Sequence, residues 1–277
     1  MCLTCGKHVA ERLWYLDPER HRIRSFGAAR DMFTRYMHPI IFNGLRVTGR
    51  KQPYGQHQFD AISKQVLTWV TKTFHGVQIL PDLDSAFQVI DMSNELALVP
   101  CLCKQIIAPD EPLEWRCLSL NVAAQVYFKK DSPYPVRPIT KQQAKDLTAG
   151  WRERGAFQST GWLWDAHVVW ICNCDMYCAS HRSTEVVWGA IPSFVVSTLV
   201  RPEACAGCRE CASWCQRDGA LTFGADGRVV IDPALCRGCG LCIEHCSQGA
   251  LGFTTRRFYY DIVQKEAREL DHDFVHL

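Results

Sequence analysis

The pattern of apolar and polar residues predicts helices in two parts of the chain. Ile62, Val66 and Trp69 recur at helical spacing, which indicates a helix that packs against a core. Further along, Thr140 and Gln143 have the spacing of a capping box, a side-chain pair that begins many helices, and an apolar stripe follows it. We therefore expect a mostly helical N-terminal region and a short helix that begins after Thr140.

Short apolar runs in the middle of the chain predict strands. Residues 168–171 have the continuous apolar pattern of a buried strand, which leads directly into Cys172. The longest apolar stretch, residues 186–200, is shorter than the roughly 20 residues that span a bilayer, and Gly189 and Pro192 interrupt it. We expect no transmembrane segment.

Composition indicates an ordinary folded protein. The chain has 277 residues, of which 47% are hydrophobic and 22% charged, enough for about two domains. Its 31 lysines and arginines nearly balance its 29 aspartates and glutamates, so no overall field attracts nucleic acid. Residues 1–7 lack the apolar segment of a secretory signal, so we expect the reducing cytoplasm, where thiols are free to bind metal.

Eight of the 16 cysteines form two runs of identical spacing, Cys-x2-Cys-x2-Cys-x3-Cys, about 31 residues apart. In such a run the first three thiolates hold one 4Fe-4S cluster and the fourth reaches the neighbouring cluster. Zinc is the alternative for Cys-x2-Cys pairs, but two identical four-membered runs favour iron-sulfur clusters. The spacing assigns one cluster to Cys205, Cys208, Cys211 and Cys246, and the other to Cys236, Cys239, Cys242 and Cys215.

Over residues 200–254 this pattern resembles the bacterial dicluster ferredoxin family. The resemblance implies a pseudo-symmetric βαββαβ-like fold that carries electrons at low potential. The family usually has proline after the fourth cysteine of each run, whereas this chain has Gln216 and Ser247. Because hydrogen bonds near the sulfurs tune the reduction potential, we expect the two residues to affect the potentials.

Six further cysteines lie upstream, in and around the segments 99–104 and 170–174. These segments resemble a family of larger anaerobic 4Fe-4S binding proteins, in which a cysteine-rich module precedes a C-terminal ferredoxin domain. We expect the six to converge on a third metal centre, iron-sulfur or zinc; structural thiols are the alternative. They are Cys101, Cys103, Cys117, Cys172, Cys174 and Cys178, and the pair Cys2 and Cys5 would need partners to complete a further site.

The cysteine pattern also divides the chain. We expect a helical N-terminal region over residues 1–95, a cysteine-rich mixed α/β module over 96–198, a dicluster ferredoxin domain over 199–255 and a helical tail over 256–277. The expected fold class is α+β.

Function follows from what the sequence contains and lacks. No Gly-x-Gly-x-x-Gly or Gly-x4-Gly-Lys-Ser/Thr nucleotide loop is present, and neither is the Cys-x3-Cys-x2-Cys signature of radical chemistry. We expect an electron-transfer subunit between a donor or acceptor protein and a larger oxidoreductase, because nine tryptophans and an apolar stripe in the tail offer docking surface. The alternatives are a reductase with its own metal centre in the middle module and a redox sensor.

Overall fold

The computed structural model describes residues 14–22, 75–101, 104, 112–124, 135–163, 167–175, 193 and 195–255. These residues form helices and antiparallel sheets of the α+β class, as the sequence predicts. Within these ranges no helix has the length and apolar character needed to cross a membrane. The expected helix near residues 62–70, the tail 256–277 and the four residues Cys2, Cys5, Cys103 and Cys178 lie outside the described part.

Six strands form the larger sheet. They are β1 (His75–Ile79), β2 (Leu96–Pro100), β3 (Trp115–Leu120), β4 (Arg137–Pro138), β5 (Phe157–Leu163) and β6 (His167–Cys174). Their order in the sheet is β1-β5-β6-β3-β2-β4, and every neighbouring pair is antiparallel. The apolar run at residues 168–171 lies in β6 as predicted. Because β1 pairs with β5, residues on both sides of the boundary expected near residue 95 share one sheet.

Two helices pack on this sheet, α1 (Leu83–Met92) and α2 (Lys141–Glu153). The predicted capping box of α2 is confirmed: the Gln143 amide N–H donates to Thr140 Oγ1 at 3.2 Å, and the Thr140 amide donates to Gln143 Oε1 at 2.9 Å. Short 3-10 helices occupy Trp14–Leu16, Pro18–His21 and Pro202–Ala204.

The sheet has two different faces. Leu98, Leu118 and Ile171 pack with Val89 of α1 and Ala144 of α2 in the main apolar core. Side chains alternate between the faces of a strand, so the neighbours of these core residues lie on the other face. That second face carries Cys117 and Cys172, and we call it the thiol face.

The C-terminal part is a smaller unit with the element order strand, helix, strand, strand, helix, strand. Its elements are β7 (Val195–Leu199), α3 (Glu210–Ser213), β8 (Leu221–Phe223), β9 (Val229–Ile231), α4 (Leu241–Glu244) and β10 (Leu251–Thr255). The strands form two antiparallel pairs, β7 with β10 and β8 with β9. Val229 and Leu251 form its small apolar core together with Cys211 and Cys242.

The six-stranded sheet and helices α1 and α2 form the larger unit of the structure. Two glycine substitutions test its packing. Gly161 on β5 is paired with Trp170 on β6, and a Cβ at Gly161 would overlap the indole nitrogen. We expect Gly161→Ala to lower the free energy of unfolding by about 1–3 kcal/mol, since the ring must move from its packed position. In α2, a Cβ at Gly150 would lie 3.7 Å from Arg154 Nη1, an ordinary contact, so Gly150→Ala should stabilise the helix by about 0.5–1 kcal/mol.

Thermal unfolding of both variants under anaerobic conditions measures these effects as shifts of Tm in opposite directions. An unchanged Tm for Gly161→Ala would show that the ring of Trp170 moves aside without cost.

Candidate metal centre

The two cysteine runs have the same local backbone. Gly207 and Gly238, each between the first two cysteines of its run, have φ of 67° and 69°. Arg209 and Gly240, each after the second cysteine, have φ of 65° and 76°. All four lie in the left-handed region, which turns the chain sharply and favours glycine. The duplicated sequence therefore folds into duplicated loops, and helices α3 and α4 begin directly after them.

The first group of thiols, which we call the outer set, consists of Cys205, Cys208, Cys211 and Cys246. Burial raises the pKa of the Cys211 thiol, and the nearby Cys246, Cys208 and Cys205 raise it further. Cys246 comes from the second run, so the set joins both halves of the duplication. The backbone N–H of Ala250 donates to Cys246 Sγ at 3.3 Å, while Cys208 is exposed to solvent.

The second group, which we call the inner set, lines a pocket with an empty volume of about 500 Å³, part of it open to solvent. Its members are Cys215, Cys236, Cys239 and Cys242. Burial raises the pKa of Cys239 to about 11 and that of Cys242 to about 12. The backbone N–H of Gly238 donates to Cys236 Sγ at 3.4 Å.

These features test which metal group the inner set fits. The raised pKa values show that thiolates are unfavourable here unless a cation compensates them, so metal binding must release protons. A zinc ion needs four donors at about 2–2.3 Å. Within the described ranges, no three His, Cys, Asp or Glu side chains are placed to hold one metal ion. Four sulfurs around a wider pocket, with a backbone N–H directed at one of them, suit a group of several metal atoms.

Residues 229–252 match the family model of the 4Fe-4S binding domain. The match covers the whole second cysteine run and shows that the chain contains an iron-sulfur domain of ferredoxin type. Cluster binding and electron transfer are the chemistry of such domains. The searches of curated proteins and of solved structures found no match.

The C-terminal unit, residues 195–255, contains this match, and we call it the 4Fe-4S domain. A buried arginine joins it to the larger sheet. Arg152, near the end of α2, is only 2% exposed. Its Nη2 donates to the backbone carbonyl of Cys239 at 2.8 Å and to Glu244 Oε1 at 2.7 Å. Its Nη1 donates to Gln158 Oε1 on β5 at 2.8 Å. The guanidinium also lowers the pKa of Cys239, which burial raises more strongly. One side chain thus fixes the loop that carries the inner set.

Two aromatic rings stack inside the 4Fe-4S domain. The ring centroids of Trp214 and His245 lie 3.4 Å apart with an angle of 5° between their planes. Each residue directly precedes the fourth cysteine of its run, Cys215 or Cys246, so the stack links the two sets. Sequence reasoning missed this pair, although its equivalent positions in the repeat were a usable signal.

The residues that replace the proline of bacterial ferredoxins make hydrogen bonds across elements. Gln216 Nε2 donates to the Gly155 carbonyl beyond α2 at 3.0 Å. Ser247 Oγ donates to Glu210 Oε2 of α3 at 3.0 Å. The first of these bonds attaches the 4Fe-4S domain to the larger unit.

The structure brings together three of the six upstream cysteines. Hydrogen bonds with Cys101 and Cys172, together with burial, raise the pKa of Cys117 well above its ordinary value. Cys174, two residues beyond Cys172, packs with Leu241 in a small apolar cluster. Because Cys103 and Cys178 lie outside the described residues, convergence of all six on one metal centre stays a prediction.

Removing the guanidinium tests the attachment of the 4Fe-4S domain. Arg152→Gln leaves Glu244 and the Cys239 carbonyl without their donor, so we expect a loss on the order of 3 kcal/mol in the free energy of unfolding. Arg154→Gln is the matched control, because Arg154 follows the same helix, is exposed and stacks on Trp151 at 4.2 Å; its loss should stay below about 1 kcal/mol. Anaerobic denaturant unfolding measures both, and equal losses would contradict the role of Arg152.

Proposed function

We propose that the chain is an electron-transfer subunit that holds two 4Fe-4S clusters and passes electrons between a redox partner and a larger oxidoreductase. The observation that carries the proposal is the pair of four-thiol sets in one domain. One set reaches the surface at Cys208, and the other lies against the larger unit through Cys239. A route with one end exposed and one end buried suits a relay between two proteins.

In this proposal the outer and inner sets each hold one cluster, and a bound 4Fe-4S cluster supplies one-electron transfer. The crossed ligation is supported by the neighbours of the buried thiols: Cys246 lies beside Cys211, and Cys215 beside Cys242. The protein holds the sulfurs, directs N–H groups at two of them and restricts water at the inner set. Arg152 places a positive charge beside the inner set, which favours negative charge there.

The exposed edge near the outer set is the proposed contact for a redox partner. A Cβ at Gly207 would lie 3.0 Å from the carbonyl of Gly227, so the β8–β9 turn lies against the loop that carries Cys208. Val230 on β9 is 51% exposed, and such an apolar side chain suits the core of a transient interface. The resemblance to larger anaerobic 4Fe-4S proteins supports a complex of this kind.

Two matched substitutions test the crossed ligation. Cys246→Ser should impair the cluster of Cys205, Cys208 and Cys211 and leave the other intact, while Cys215→Ser should do the reverse. Low-temperature EPR of the dithionite-reduced full chain distinguishes the two, because each variant should keep the signal that the other loses. Loss of the same signal in both variants would contradict crossed ligation.

Metal analysis and size-exclusion chromatography test the rest of the proposal. Two 4Fe-4S clusters require about eight iron and eight sulfide per chain, and zinc in place of iron would contradict the proposal. In anaerobic extract of the native host, the protein should elute together with a larger oxidoreductase. Elution as a lone 31.5 kDa monomer with full electron-carrier activity would contradict the role as a docked subunit.

A further inference from the structure

Two cysteines face each other across neighbouring strands of the larger sheet. Cys117 on β3 and Cys172 on β6 are direct partners in the antiparallel register. Directly opposed Cα atoms in antiparallel pairs are about 4.5 or 5.5 Å apart, and disulfides join Cα atoms about 4.4–6.8 Å apart. The two residues are therefore within disulfide range without any movement of the backbone.

The thiols of these residues are in contact. Cys117 is hydrogen-bonded to Cys172 on one side and to Cys101, just after β2, on the other. Three strands of the sheet thus bring three thiols together on the thiol face. The structure has no disulfide at either cysteine of the register pair.

The same thiols lie close to the inner set. Cys172 packs against the apolar cluster formed by Phe157, Cys174 and Leu241. Cys239 of the inner set packs against that same cluster from the 4Fe-4S domain. One layer of side chains therefore separates the paired thiols from a thiol of the proposed electron carrier.

We propose that Cys117 and Cys172 form a dithiol–disulfide couple that exchanges two electrons with the 4Fe-4S domain. The proposal rests on the proposed function, because the two clusters are its electron source. Reduction of the disulfide breaks the S–S bond, takes one electron from each of two clusters and two protons from solvent, and leaves two thiols. Oxidation of the thiols reverses each of these changes.

The couple gives the upstream cysteines a role that differs from metal binding. The two proposed clusters carry one electron each, and reduction of the Cys117–Cys172 disulfide takes two. One couple can therefore accept the electrons of both clusters. A metal ion bound by the three thiols is the competing explanation, and the metal content of wild type and of the two Ser variants distinguishes it from the couple.

Reductive titration of the full chain, prepared anaerobically, tests the couple. Oxidised wild-type protein should take up two more electrons per chain than Cys117→Ser or Cys172→Ser, because those variants cannot form the disulfide. Ser119→Ala is the matched control: Ser119 lies on the same strand and face as Cys117 but carries no thiol, so this variant should take up as many electrons as wild type. Alkylation of the denatured protein and peptide mass spectrometry should find a Cys117–Cys172 disulfide before reduction and two free thiols after it.

Three outcomes would overturn the proposal. They are equal electron uptake by wild type and both Ser variants, full alkylation of both cysteines in the oxidised protein, and a metal ion that wild type retains and both variants lose. The EPR signals of reduced clusters, recorded on the same samples, verify that each variant is folded. They also separate the two proposals: absence of these signals in wild type contradicts the proposed function, whereas normal signals without the two extra electrons contradict only the couple.

Discussion

The buried guanidinium of Arg152 is the interaction on which the arrangement of the two units depends. A charge that is 2% exposed is stable only when it is paired and hydrogen-bonded, and Glu244, Cys239 and Gln158 supply those partners from three separate elements. Because Glu244 ends α4 and Gln158 lies on β5, satisfying one charge fixes the 4Fe-4S domain against the sheet. Cys239 of the inner set lies at this contact, and burial raises the pKa of its thiol.

This docking also breaks the symmetry of the duplicated cysteine runs. The equivalent positions Arg209 and Gly240 share a left-handed backbone, yet only one of them tolerates a side chain. A Cβ at Gly240 would overlap the carbonyl of Pro81 and approach Arg152 Nη2 to 3.2 Å. Arg209 is exposed and stacks on Phe223. Contact with the larger unit therefore requires glycine at position 240. The equivalent residue of the first run, Arg209, is exposed to solvent, so a large side chain fits there.

The sequence predicted what depends on local spacing. The eight cysteines, the cap of α2 at Thr140 and the apolar run of β6 are all short-range patterns, and the structure has the corresponding loops, helix and strand. It did not predict the pairing of β1 with β5 or the contacts of Arg152 with Cys239 and Glu244, because these join residues more than 70 positions apart. In the sequence, Arg152 has the position of a cation that interacts favourably with the C-terminal end of a helix dipole. Only the fold shows that its side chain is buried.

Contact with the larger unit also explains why the domain departs from a free ferredoxin after the fourth cysteine of the first run. Proline has no side-chain hydrogen-bond donor, whereas Gln216 donates to the carbonyl of Gly155 just beyond α2. Gly155 has φ of 86°, and a Cβ there would lie 3.2 Å from the ring of Trp214, so helix end, ring and glutamine form one packed junction. A ferredoxin that diffuses alone has no neighbouring helix end whose carbonyl needs a hydrogen-bond donor. The glutamine is thus a consequence of attachment, and the electron-transfer domain is adapted to work as part of a larger protein.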